Sequence, residues 1–267
     1  MRFTQILLST LLFISISSIS TAQVFLEDGK VKLSVTPGET IAGKLTLHNT
    51  LDQDVIMRVY WEDFVYKAPY DGSKDFLPRG TGSYSAVNWV NISTKTLMFG
   101  PFAKRTISYS INVPDDIRQG HYGVLFFENA EKQIDSTRGV NIVTRVGCLF
   151  FIEPQEKIKK IDLKDFKFTG KKLTASFTNL GNVILIPDGT FYVIDQDGMV
   201  FDRGEISKIY LPPDKTADYG LTLNRDLDPG VYTLVMTVTL EDDDIFVKEI
   251  DFEKSYSSGF NIIAIRD

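Results

Sequence analysis

The chain has 267 residues, 43% of them apolar and 24% charged, with a formal net charge of −6. That composition belongs to a globular protein and excludes disorder, collagen and coiled coil, while the length suits two domains of ordinary size. Two His and one Cys leave little for catalytic imidazole chemistry, a zinc site or an internal disulfide, and the acidic balance repels phosphate backbones, so no nucleic acid partner is expected.

The chain opens with Arg2, an apolar, Ser-rich stretch from Ile6 to Ile19, and the small residues Ser20, Thr21 and Ala22. This is the pattern of a signal peptide, with cleavage expected after Ala22. The stretch is shorter than the roughly 20 residues a spanning helix needs. Residues 1–22 therefore read as a leader, and the mature protein as periplasmic or secreted, with no transmembrane segment. Cys148 lies too deep in the chain to be lipidated at a cleavage site and reads as a buried small hydrophobe.

From Val31 onward short β-rich runs alternate with Gly, Pro, Asp and Asn, and almost no helical period appears, which predicts an all-β fold. Strands are expected over 31–35, 41–48, 55–66, 97–99, 106–113, 121–128 and 140–152, enough for one Ig-like antiparallel β-sandwich spanning 23–153. Residues 67–88, rich in Gly, Ser, Asp and Pro, are too long for a turn and read as a surface excursion. After the polar break Glu153-Pro154-Gln155-Glu156, a second series begins. Runs at 158–168, 172–177, 189–194, 200–201, 206–210, 217–223, 231–240 and 245–252 predict a second sandwich in tandem, spanning 157–253. Asp195-Gln196-Asp197-Gly198 and residues 241–244 are its expected tight turns. Pro114-Asp115-Asp116 ahead of Gly120-His121-Tyr122 echoes Leu227-Asp228-Pro229-Gly230-Val231-Tyr232, a weak internal repeat. Within the tail 254–267, Phe260 to Ile265 is β-prone and needs a sheet edge. Effective concentration favours an edge of its own chain over one on another protein.

The sequence contains no nucleophile elbow, zinc-binding His helix, phosphate-cradling Gly loop or Cys pair. No catalytic residue, metal or cofactor is assigned, and the chain reads as a binding protein rather than an enzyme. His48 and His121 fall in expected strands and read as structural. The carboxylates Asp195, Asp197 and those at 241–244 suit Ca²⁺ by chemistry but lack a full ligand spacing, so solvated turns are favoured. Lys157, Lys159 and Lys160 head seven lysines between 157 and 172, a candidate grip on an anionic envelope polymer. The interleaved Ile158, Ile161, Leu163, Phe166 and Phe168 point instead to a strand with a charged outer face. Asn91-Ile92-Ser93 fits a glycosylation sequon, which matters only in a host that modifies it.

Two runs break the alternation. In 140–152, Val140, Ile142, Val146, Cys148, Phe150 and Ile152 occupy one face and Val143, Leu149 and Phe151 the other. In 121–128, Tyr122, Val124 and Phe126 oppose Leu125 and Phe127, so the two strands are expected to pair. Leu125, Phe127, Val143, Leu149 and Phe151 form the expected outward set. Leaving them in water would forgo on the order of 10 kcal/mol, at about 1.5 to 3 kcal/mol per side chain. Either the second domain or the excursion covers them, or, with Arg145 beside them, they line the contact surface for a protein partner.

The run Val143-Thr144-Arg145-Val146-Gly147-Cys148-Leu149-Phe150-Phe151-Ile152-Glu153-Pro154 resembles the final strand of the first domain in PapD-like fimbrial chaperones. Leu173 to Asn182 is similar to the Asn-centred turn after that family's linker. The resemblance implies an assembly factor whose strand lends apolar side chains to an envelope or pilus subunit by strand addition. In that family a lysine of this strand anchors the subunit's carboxylate; here Gly147 stands in its place. The chain is also similar to the peptidoglycan-binding sandwich of WxL-interacting proteins, in Pro37-Gly38-Glu39, Trp89, Val113-Pro114 and Gly120-His121-Tyr122-Gly123. That likeness implies a cell-envelope or surface-polymer binding module as the alternative function.

Overall fold

Ile107, Tyr109 and Ile111 alternate with Thr106, Ser108 and Ser110, and the chain there is a strand that buries only its apolar members. The computed structural model describes residues 24–130, 133–135, 140–240, 244–256 and 259–267, and all the regular elements among them are strands. The amino-terminal part holds β1 (Val24–Leu26), β2 (Lys30–Val35), β3 (Thr40–Asn49), β4 (Val55–Tyr66), β5 (Lys74–Leu77), β6 (Val90–Ile92), β7 (Thr96–Phe99), β8 (Lys104–Asn112), β9 (His121–Asn129), β10 (Gln133–Asp135), β11 (Val140–Ile142) and β12 (Arg145–Pro154). They form two sheets, β1-β3-β8-β6 and β2-β12-β9-β4-β5 with β7 also on β4, while β10 and β11 pair as a separate hairpin. The strand pairings are antiparallel except for β2, which runs parallel to β12.

The inner faces of these sheets share one core. Trp61 packs on Phe150 with ring centroids 5.3 Å apart, and Tyr109 meets the same ring edge-on at 5.1 Å. Gly123 is a glycine for this reason: a Cβ there would enter the indole of Trp61. The chain then passes through an ion pair between buried Glu153 and half-buried Lys157, 3.0 Å apart, into the second set of strands.

These are β13 (Ile161–Thr169), β14 (Lys172–Asn179), β15 (Asp188–Ile194), β16 (Val200–Ile206), β17 (Thr216–Thr222), β18 (Gly230–Leu240), β19 (Asp244–Lys254) and β20 (Phe260–Arg266). They build the sheets β13-β14-β17 and β16-β15-β18-β19-β20 around Phe177, Phe191, Leu234, Met236, Ile250 and Phe252. The fold is thus all-β, two Ig-like sandwiches in tandem. The apolar tail pairs within its own chain as β20, beside β19. Phe260 stacks on Phe168 at 4.9 Å and Arg266 reaches Glu249 at 3.1 Å. At the expected Asp-Gly turn, Asp195 Oδ1 accepts from the N–H groups of Asp197 and Met199, and Gly198 takes a φ of 80°. The other expected turn, at 241–244, falls outside the described residues except for Asp244.

The two sandwiches repeat one device. Asn49 and Asn179 are both buried, and each donates from Nδ2 to the carbonyl four residues on and to a more distant one. The former reaches Gln53 and Gly100, the latter Val183 and Leu211. Each also accepts from the N–H two residues on, at Leu51 and Gly181. A buried amide satisfied on all sides fixes a corner where a loop crosses the sandwich end.

Candidate functional site

The strand read as the contact surface is β12, and its two edges differ. β9 pairs with it from Arg145 to Ile152. On the other edge β2 begins only at Leu149, whose N–H donates to Gly29 O at 3.0 Å. Backbone groups alternate in direction along a strand, and Thr144 O accepts from Asn129 on the β9 side. Arg145 and Gly147 therefore point their N–H and C=O at an edge with which, among the described residues, no strand pairs. This is a template for strand addition.

The faces correct the sequence reading in one respect. Leu125 and Phe127 were expected outward with Leu149 and Phe151, but both are fully buried between the sheets of the first sandwich, beside Cys148, Phe150 and Ile152. Register explains it: Leu125 pairs with Cys148 and Val124 with Leu149, and antiparallel partners share a face. The outward set is Tyr122, Val124, Phe126, Leu149 and Phe151. Val143 is 47% exposed.

Most of that outer seam is covered from within the chain. Phe64 and Tyr66 of β4, Tyr70 and Tyr84 of the excursion, and Ile184, Ile186 and Tyr210 of the second sandwich close over Tyr122 and Phe151. Hydrogen bonds stitch the junction. Tyr122 Oη accepts from Ile184 N–H at 2.9 Å, Tyr70 O from Tyr210 N–H at 2.8 Å, Asn182 O from Gly120 N–H at 2.8 Å, and Arg118 O from Asn182 Nδ2 at 2.8 Å. The excursion is therefore a packed bracket. Asp63 holds its far end, accepting from Gly82 N–H and Ser85 Oγ, and His121 faces Ser85 O from Nδ1 at 3.1 Å.

Toward the free edge the outer face becomes charged. Arg145 lies over the Phe126 ring, 4.0 Å from its centroid, and reaches Glu62 at 3.4 Å. Tyr60 donates to Glu128 at 2.6 Å, and Arg58 pairs with the same carboxylate. The hydrogen bond from Tyr60 holds the Glu128 carboxyl below its ordinary pKa. Gly147 is required by packing, since a Cβ there would lie 2.8 Å from both Phe126 and Val124 side chains. Burial pushes the Cys148 thiol up to about 12, so it is an inert core group.

The three candidate polymer-binding lysines have different surroundings. Lys157 pairs with Glu153, Lys159 with Asp244 at 3.2 Å, and Lys160 is exposed. Sequence reasoning missed a different pair, Lys30 and Lys74. Lys30 opens β2 opposite Leu149 and sits 4.4 Å from the Phe151 ring centroid. Lys74 lies over the stacked rings of Tyr66 and Tyr210. Burial first, then repulsion from Lys30, lowers the Lys74 pKa. Lys30 thus stands where the free edge of β12 ends, with Lys74 near enough to be repelled by it. Among the described residues no group of His, Cys, Asp or Glu is placed to hold a metal ion, and no helix is long and apolar enough to cross a membrane.

No family model and no curated protein match the chain. Solved structures do. The class 5 fimbriae chaperone CfaA superposes with a TM-score of 0.53 at 13% identity, over 84% of this chain and 97% of that one. A chaperone–tip adhesin complex, described as vital for synergistic activation of CFA/I fimbriae biogenesis, gives 0.51 at 13% identity over 85% and 97%. At such identity the likeness defines the fold, and the fold is that of the PapD-like fimbrial chaperones.

Proposed function

We propose that the protein is an exported, non-enzymatic chaperone of envelope or pilus assembly that binds a subunit by strand addition along β12. The observation that carries this reading is the open edge at Arg145 to Cys148, bordered by Val143 and ending where β2 begins. β2 runs parallel to β12, so a subunit strand on the same edge and in the same direction finishes against Lys30, with Lys74 beside it. A terminal carboxylate there relieves the repulsion between the two ammonium groups, which supports them in the anchoring role that the resemblance assigns to another lysine. Leu149, Phe151 and the second sandwich form the wall behind this strand. The apolar leader supports a periplasmic or secreted location.

The test separates backbone from side chain. Arg145→Pro removes an N–H from the open edge, where proline is tolerated, whereas Arg145→Ala keeps it. Subunit co-purified from the envelope fraction should be lost with the first and retained with the second. Equal retention of the subunit by both variants would overturn the reading.

A further inference from the structure

The first sandwich has a second break in its hydrogen-bonded edges, on the side away from β12. β4 is paired by β7 over Val55–Arg58 and by β5 over Asp63–Tyr66. Between them, on the edge of β4 opposite β9, Val59–Glu62 has no strand beside it among the described residues, and the one backbone contact seen there is the Val59 N–H donating to Lys95 O at 2.9 Å. A slot runs from this bare stretch to β6. Its floor is formed by Val59, Trp61, Val90 and Ile92, and its rim by Arg79 and Lys95. Both cations are exposed, and among the described residues neither has a carboxylate at ion-pair distance, in a chain whose net charge is −6.

Each part of the slot asks for a different feature of its occupant. The unpaired backbone of Trp61 suits another extended backbone, the apolar floor suits an aliphatic side chain, and the two cations suit carboxylates on either side of it. We infer that this slot docks a short extended segment of a partner protein in which aliphatic residues are flanked by acidic ones. None of these residues belongs to the β12 edge, so this site stands or falls apart from the proposed chaperone site.

The test uses the purified full protein and a fluorescein-labelled Asp-Val-Thr-Val-Asp peptide, followed by anisotropy and by amide shifts. The expected result is saturable binding with shifts at Val59, Trp61 and Lys95. Binding should weaken by about tenfold or more for the Lys-Val-Thr-Val-Lys peptide and for the double variant Arg79→Glu, Lys95→Glu, whose exposed side chains carry no packing. Absence of saturable binding, undiminished binding by the double variant, or shifts centred on residues 143–149 would each overturn the inference. So would a concentration-dependent doubling of mass that the double variant abolishes, because the occupant would then be a second copy of the chain.

Discussion

Replacing Tyr122 by Phe removes one oxygen from the junction and leaves its ring contacts with Phe64, Tyr84 and Phe151 in place. The lost oxygen is the acceptor for the Ile184 N–H at 2.9 Å, in an environment where Tyr122 is 2% and Ile184 6% exposed. An amide left without a partner in such a site costs about 1 to 3 kcal/mol. For a chain of this size that corresponds to a melting temperature lower by roughly 2 to 4 °C per kcal/mol. Tyr84→Phe is the internal control: its bond to Pro213 O is 3.4 Å long and only partly buried, so its loss should cost under about 1 kcal/mol. Urea unfolding gives the energies, and hydrogen exchange at the Ile184 amide reports whether the junction opens. A Tyr122→Phe protein as stable as the parent, with Ile184 exchange unchanged, would refute the view that the two sandwiches are locked through this hydroxyl.

Three further outcomes follow from the site. Lys30→Gln together with Lys74→Gln should weaken subunit binding by about tenfold or more, with the thermal midpoint lowered only by the lost contacts of the two ammonium groups on the Phe151, Tyr66 and Tyr210 rings; equal binding to the double variant would remove the carboxylate anchor. Burial lowers the His121 pKa below 6.5, so the folded state prefers the neutral ring. The unfolded chain takes up the proton first, and stability should fall as pH drops through 6.5, then level off below the folded value. His121→Gln should flatten that slope in urea midpoints measured from pH 7.5 to 5, and a slope identical in the variant would contradict the assignment. Cys148, with its thiol pushed up to about 12, should react with a disulfide reagent only on unfolding, so rapid labelling of the native protein would show that the core around it opens.

Where one face of a strand is wet, alternation tells which side chains turn inward, as in Lys104–Asn112, where Ile107, Tyr109 and Ile111 are buried. The rule failed at His121–Asn129, where Tyr122 to Phe127 are all buried because each face has a cover. With both faces apolar the period of two no longer says which is inward, and the choice of Leu125 and Phe127 as outward residues was the wrong one of two. The free edge of β12 was hidden for another reason: whether β2 pairs with all of a neighbouring strand or only its last six residues is a tertiary fact. The cation pair had no local signal either, since Lys30 and Lys74 are brought together by the bracket. The Asn49 corner was legible in principle, as an Asn between an alternating strand and a polar turn that matches the surroundings of Asn179.

The central claim is that the Arg145 to Cys148 edge of β12 is open in the free protein and filled by a subunit strand in the complex. Hydrogen–deuterium exchange at the Arg145 and Gly147 amides measures this directly. Exchange should be rapid when the protein is alone and strongly slowed once the subunit is bound, while the Val146 and Cys148 amides, held by β9, stay slow in both states. Protection of Arg145 and Gly147 in the free protein, or their unchanged exposure in the complex, would contradict it.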